Sequence, residues 1–274
     1  MGDKSCVIVY GLDELASAVA RHLLLSGYAV AMHAAAPPQV LRRRMALSDA
    51  WYDGSAALEG VEARRTNNDA DLLTGLRSSM FIPVLAHPSF EAVGRWPWDV
   101  VIDARGLPAG GGRMGIDAEL AIVLGHGAVA GRDCDIVIET GGMDPGAVVR
   151  SGSAATRPTP DPDAHVMHSP ATGVFHADVT LGDVVDGGTI LGYVGSEPLI
   201  APVAGRLRGL ARENSSVEAG APLAEIATNP AATVDLIDRR HKLIARSVAF
   251  TVETELEGQA MNPWPGRPAP DEAP

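Results

Sequence analysis

The chain has 274 residues, room for two ordinary domains, and is 46% hydrophobic against 20% charged, so a sizeable core can be buried. A formal net charge of −12 speaks against a nucleic-acid backbone or an anionic membrane as the main partner. Two cysteines, Cys6 and Cys134, make no disulfide scaffold and suit a reducing cytoplasm; no signal-peptide pattern and no apolar run of roughly 18 residues is seen.

The first segment alternates strand and helix. Cys6–Tyr10 is a short apolar run ending at Gly11, as a buried parallel strand would. Asp13 can cap a helix whose apolar positions Leu15, Val19, Leu23 and Leu24 share a face, and Ser26-Gly27 stops it. Ala29–Met32 reads as a second strand, and Pro37-Pro38 as the opening of a basic helix carrying Arg42, Arg43 and Arg44. Further strands are expected at Ile82–Ala86, Val100–Asp103, Ala121–Leu124 and Ile136–Glu139, with a helix at about Asp69–Ser78. This spacing predicts a doubly wound, Rossmann-like parallel sheet over residues 1–150.

Residues 151–163 are rich in Pro and poor in large apolar side chains, and read as a linker. Beyond it the chain repeats itself at an offset of 32, pairing Pro170 with Pro202, Gly173 with Gly205, Val185 with Val217, Gly188 with Gly220 and Leu191 with Leu223. The repeat implies a compact β unit with an approximate two-fold axis over residues 164–228. A C-terminal helix is expected in residues 229–257, from about Ala232, and a disordered tail over residues 258–274.

The repeated segment, from Ser169-Pro-Ala-Thr-Gly-Val-Phe175 to Val217-Glu-Ala-Gly-Ala-Pro-Leu223, resembles the biotinyl/lipoyl-carrier fold, a barrel-sandwich hybrid. Such carriers present a lysine on the hairpin between the two halves, because biotin and lipoate are attached as amides. Here that hairpin reads Gly195-Ser-Glu-Pro198, and the only lysines are Lys4 and Lys242, so neither biotin nor lipoate is expected. The fold class expected is an α/β Rossmann-like parallel sheet domain plus an all-β barrel-sandwich hybrid domain and a C-terminal helix.

The order of parts, with Gly11-Leu-Asp-Glu-Leu-Ala-Ser17, Ser48-Asp-Ala-Trp-Tyr-Asp-Gly54, Trp98-Asp-Val-Val-Ile-Asp-Ala-Arg105 and Gly125-His-Gly-Ala128 running on to Glu139-Thr140, resembles the YqeB-type accessory proteins of selenium-dependent molybdenum hydroxylases. These are loosely similar to XdhC/CoxF maturation factors. The resemblance implies a helper role in assembling a molybdenum-containing hydroxylase or inserting its cofactor, with that enzyme as client and molybdenum cofactor (molybdopterin) or a nucleotide as ligand. Four motif positions depart from the family. The first turn has Leu12 in place of a small residue and lacks its second glycine, and His126-Gly-Ala128 replaces Pro-Gly-Phe. Asp135 replaces a histidine, and Gly142-Met-Asp144 replaces Arg-Gly-His.

In open α/β sheets ligands bind at the carboxyl edge of the strands. The cofactor-binding candidates there are Gly11, Asp13, Glu14 and Ser17 on the first turn, Asp103 and Arg105 after one strand, and Gly125, His126, Gly127, Glu139 and Thr140 after two others. The helix N-terminus can receive an anion, whereas Asp13 and Glu14 oppose one; equally, Asp13 can serve as a simple cap and Asp103 and Arg105 as a buried ion pair. Residues Gly106–Gly115 could close over a ligand through Arg113, or be an unstructured loop.

Cys134, flanked by Asp133 and Asp135, is a poor nucleophile because two carboxylates disfavour its thiolate. His165, His168 and His176 lack a fourth ligand, so no metal is expected. The arginine run reads as a solvated helix face. No catalytic residue emerges. The alternatives are a small-molecule binding protein of another biosynthetic pathway and an NAD(P)-dependent oxidoreductase; the missing G-x-G-x-x-G fingerprint counts against the latter. A homodimer is expected from the open edges of a β unit, and a cytoplasmic location from the cysteine usage.

Overall fold

The computed structural model describes residues 5–86, 96–106, 118–154, 161–229 and 231–261. The first part contains β1 (Cys6–Tyr10), α1 (Glu14–Leu25), β2 (Ala29–Ala34), α2 (Asp49–Asp53), β3 (Ser55–Leu58), β4 (Val61–Thr66), α3 (Asp69–Ser78), β5 (Ile82–Ala86), β6 (Val100–Asp103), β7 (Leu120–Leu124), β8 (Val129–Ala130), β9 (Ile136–Ile138), β10 (Val148–Val149) and β11 (Gly152–Ser153). Nine of these strands form one sheet in the order β10-β9-β7-β6-β1-β2-β5-β4-β3. The inner strands run parallel, while β3 and β10 pair antiparallel at the two edges.

Both faces of the central strands are buried, which is why their sequences read as unbroken apolar runs. Val7, Val9, Val30, Met32 and Ile102 pack on one face with Val19 and Leu23 of α1. Ile8, Tyr10, Ala31 and Val101 pack on the other with Leu72 and Leu76 of α3. Asp13 caps α1 by accepting from the Ala16 amide at 2.8 Å. α3 meets β5 without a side chain between them: a Cβ on Gly75 would stand 2.3 Å from the Pro83 ring. Alanine there gains about 1 kcal/mol of helix propensity but costs about 1–3 kcal/mol in overpacking, and the proline ring cannot swing aside. Gly75→Ala is therefore expected to lower the urea midpoint; a raised midpoint would contradict this packing.

The second part contains β12 (Ala164–His168), β13 (Gly173–Ala177), β14 (Val184–Val185), β15 (Ile190–Val194), β16 (Glu197–Ile200), β17 (Gly205–Leu210), β18 (Ser216–Val217) and β19 (Pro222–Ala227), followed by α4 (Arg239–Met261). The strands make two four-stranded antiparallel sheets, β12-β19-β17-β14 and β16-β15-β13-β18. Each sheet takes one strand from the opposite half of the repeat: β14 pairs with β17, and β18 with β13. Repeat partners occupy like environments: Phe175 and Leu207, and Leu191 and Leu223, are fully buried, and Gly188 and Gly220 both have positive φ.

The expected fold class is corrected. The architecture is a large mixed sheet plus small antiparallel sheets and one C-terminal helix, not a parallel Rossmann-like domain joined to a barrel-sandwich hybrid. The β3–β4 hairpin, for which no strand was expected, adds an antiparallel pair at one edge, and β10 adds another at the other. In addition, Ile244, Val248 and Val252 of α4 pack into the same core as α1, so the C-terminal helix covers the large sheet.

The basic helix is also corrected. It reduces to a 3-10 turn at Arg43–Met45, because its arginines reach the second part. Arg42 forks onto Glu225 with contacts of 2.9–3.1 Å, and Arg43 donates to the Leu210 carbonyl at 3.0 Å. They are a clamp between the parts, not a solvated face. α4 begins later than expected, at Arg239, where Asp238 accepts from the Arg240 amide at 2.7 Å. It continues to Met261, into the first residues of the expected tail. The rest of that tail, the loop 107–115 with Arg113, and residues 155–160 of the linker lie outside the described residues.

Candidate functional site

The carboxyl ends of β1, β6, β7 and β9 converge beside the N-termini of α1 and α4. Gly11 follows β1 with φ +120°, and a Cβ there would press on Ala16 at 3.2 Å, so glycine brings the helix start close to the sheet. At the end of β6, Asp103 is fully buried and takes three hydrogen bonds from Arg105: its amide and Nε at 2.9 Å, and Nη2 at 2.5 Å. This fork fixes the guanidinium, which also lies over the Tyr10 ring, 5.2 Å from its centroid. After β7, Gly125 has φ +84°; a Cβ there would meet Thr140 Oγ1 at 2.8 Å. Behind it, Glu139 accepts from the amides of Thr140 and Gly141 at 3.1 and 3.0 Å, shaping the turn after β9.

These ends enclose a pocket of about 250 Å³. Asp13, Arg105, Gly125, His126 and Thr140 line it, together with Arg240 and His241 from α4. Of the sequence candidates, Gly11, Asp103 and Glu139 stand behind the wall as supports. Ser17 is a packing residue whose hydroxyl accepts from the Leu47 amide at 2.8 Å. Gly127 is a positive-φ turn residue, outside the described lining. Glu14 points elsewhere, 4.0 Å from Arg42.

The charged groups balance in number, Arg105 and Arg240 against Asp103 and Asp13. The buried Asp103 carboxylate offsets Arg105. Arg240 donates to the Gly142 carbonyl at 2.8 Å and has no carboxylate partner among the described residues. Burial raises the Asp13 carboxyl above the usual carboxylate range, against hydrogen bonds from Ala16 and Leu15. Burial lowers the His241 imidazole, and its Nδ1 is sealed from water without a partner among the described residues. The pocket thus offers Arg240 as a charged donor and His241 as a neutral hydrogen-bonding group. Both were missed in the sequence: they lie at a helix start 100 residues or more from the rest, and only their place just after the Asp238 cap marks them.

The other candidates fall as follows. Cys134 is buried, and burial first, then Asp133 and Asp135, pushes its thiol up to about 11. Among the described residues no group of three or more His, Cys, Asp or Glu could hold a metal ion. His176 instead lies 3.0 Å from Glu213. No helix among the described residues is long and apolar enough to cross a membrane.

No family model matches the chain. It is 32% identical over 228 residues to a protein of Escherichia coli (strain K12) described as "Uncharacterized protein YqeB"; the match covers 80% of this chain and 42% of that protein. Solved structures with some likeness include an aspartoacylase family protein from Mesorhizobium loti, with 13% identity, TM-score 0.27, and 84% and 87% of the two chains covered. A succinylglutamate desuccinylase/aspartoacylase family protein from Shewanella amazonensis SB2B has 12% identity and TM-score 0.26, covering 83% and 92%. A single-chain, multi-domain long-chain acyl-CoA carboxylase has 20% identity and TM-score 0.24, covering 39% of this chain and 11% of that one. The chain therefore spans less than half the length of the YqeB relative, and over that span the YqeB-type resemblance of its sequence is supported.

Proposed function

We propose that this chain is an accessory protein for a molybdenum-containing hydroxylase, holding a polar, ring-bearing cofactor of pterin or nucleotide type at the carboxyl edge of its large sheet. The observation that carries the reading is the arrangement around one pocket of a locked guanidinium on Arg105, one on Arg240 with no carboxylate partner among the described residues, and the hydrogen-bonding groups of Thr140 and His241. Two arginines from different elements suit an anionic group such as a phosphate, and the neutral imidazole and hydroxyl suit the edge of a heterocycle. A volume of about 250 Å³ favours one ring with one anionic group over a whole dinucleotide. The repeated β part serves assembly with the client enzyme, and the protein acts as a homodimer.

Binding of a phosphorylated pterin, followed by absorbance, tests the site. Arg240→Ala removes a donor, leaving the half-buried Gly142 carbonyl to water, and is expected to weaken binding roughly tenfold, as loss of one charge-assisted hydrogen bond would. Unchanged affinity in Arg240→Ala and Arg105→Ala would refute the assignment.

A further inference from the structure

A second site lies away from the sheet edge, in the seam between α1 and α4. The two helices run in the same direction here, so residues 18, 21 and 22 of α1 face residues 242, 245 and 246 of α4, and the next turns follow in step. The seam opens into two hollows, of about 210 and 220 Å³, which share His22 and Arg246 as their common wall.

The first hollow is cationic. Arg21 and Lys242 both hold Glu59, with Nη2 at 3.6 Å from one carboxylate oxygen and Nζ at 2.7 Å from the other. Glu59 sits in the β3–β4 turn at φ 42°, a conformation unfavourable for glutamate, and also accepts from the Ile237 amide at 2.9 Å. One carboxylate thus serves two cations, and Arg246 has no ion-pair partner among the described residues. Arg21 and Arg246 are both close enough to His22 to disfavour its protonation, after burial itself. Excess positive charge gathered in a hollow of a chain with net charge −12 marks an anion's place.

The second hollow is mostly polar but carries two aromatic side chains. Tyr28 and Phe250 border it, Phe250 being 66% exposed, with Glu253 at its rim. The exposed Phe250 ring, in the same hollow as Tyr28, offers a stacking surface for a flat ring, and the rim carboxylate can accept from ring N–H groups.

We propose that this seam binds a mononucleotide, its phosphate between Arg21, Lys242 and Arg246 and its base against Phe250 and Tyr28. The site is separate from the pocket at the sheet edge. Calorimetric titration of the full chain with AMP, GMP and inorganic phosphate tests it, using Arg246→Ala and Phe250→Ala, both exposed positions whose replacement leaves the core intact. At least one nucleotide is expected to bind more tightly than phosphate. Arg246→Ala should weaken nucleotide and phosphate alike, by roughly tenfold. Phe250→Ala should weaken the nucleotide roughly tenfold and leave phosphate unchanged. The proposal is overturned if neither nucleotide binds, if both variants bind as the wild type does, or if binding is lost in Arg105→Ala while Arg246→Ala retains it, which would move the ligand to the sheet edge.

Discussion

Replacing Glu225 with alanine is expected to lower the unfolding free energy by about 3 kcal/mol, near the low end of the cost of breaking a buried ion pair. The Glu225 side chain is 7% exposed and receives Arg42 at 2.9 Å and Arg208 at 2.6 Å. Its loss leaves Arg208, itself 10% exposed, with Asp161 as its ion-pair partner among the described residues, and leaves Arg42 with Glu14 at 4.0 Å and the more distant Asp161 charge. Partial access of Arg42 to water keeps the cost below that of a wholly enclosed pair. The Arg64–Glu62 pair supplies the contrast: both side chains are more than a third exposed, and its removal should change little. Urea denaturation of Glu225→Ala and Glu62→Ala measures both, and equal effects would contradict the clamp between the two parts.

Glu14→Gln is expected to stabilise the protein above pH 7 and to flatten the pH dependence between about pH 4.5 and 7. Burial, then the nearby Asp13 charge, pushes the Glu14 carboxyl up to about 7, with Arg42 opposing and Glu225 adding to the rise. A carboxyl whose folded pKa lies above its unfolded value favours the folded state when protonated. The penalty for ionising it is absent below the unfolded pKa, grows as pH rises towards 7, and is fully present above that. A rise of that size corresponds to a few kcal/mol at most, on the order of 3. His241 works in the opposite sense: burial lowers its pKa, so stability is lost as pH falls below the range where the unfolded imidazole takes a proton. Subtracting the Glu14→Gln profile from that of the wild type isolates the carboxyl. A difference that does not vary with pH would show that the Glu14 carboxyl has the same pKa folded and unfolded, and would contradict the rise.

The parts of the fold legible in the sequence were those fixed by local pattern. Cys6–Tyr10 and Val100–Asp103 read as strands because both faces are buried, and α1 because Asp13 and Gly27 mark its ends. The mixed character of the sheet was hidden. Its β3–β4 edge turns through Glu59 at positive φ, held there by Arg21, Lys242 and the Ile237 amide, partners with no local signal. The arginine run read as a helix because its true partner, Glu225, lies 183 residues away. The site followed the same division. Asp13, Arg105, Gly125, His126 and Thr140 were found by following strand ends, whereas Arg240 and His241 reach the pocket only because α4 packs on α1 within one core.

The measurement closest to the central claim is native mass spectrometry of the chain purified from a host that makes molybdenum cofactor, followed by denaturing analysis of what is released. The account predicts a bound pterin or nucleotide in the wild type, with occupancy reduced in Arg240→Ala and Arg105→Ala. A protein that emerges empty, and stays empty after incubation with these ligands, would contradict it.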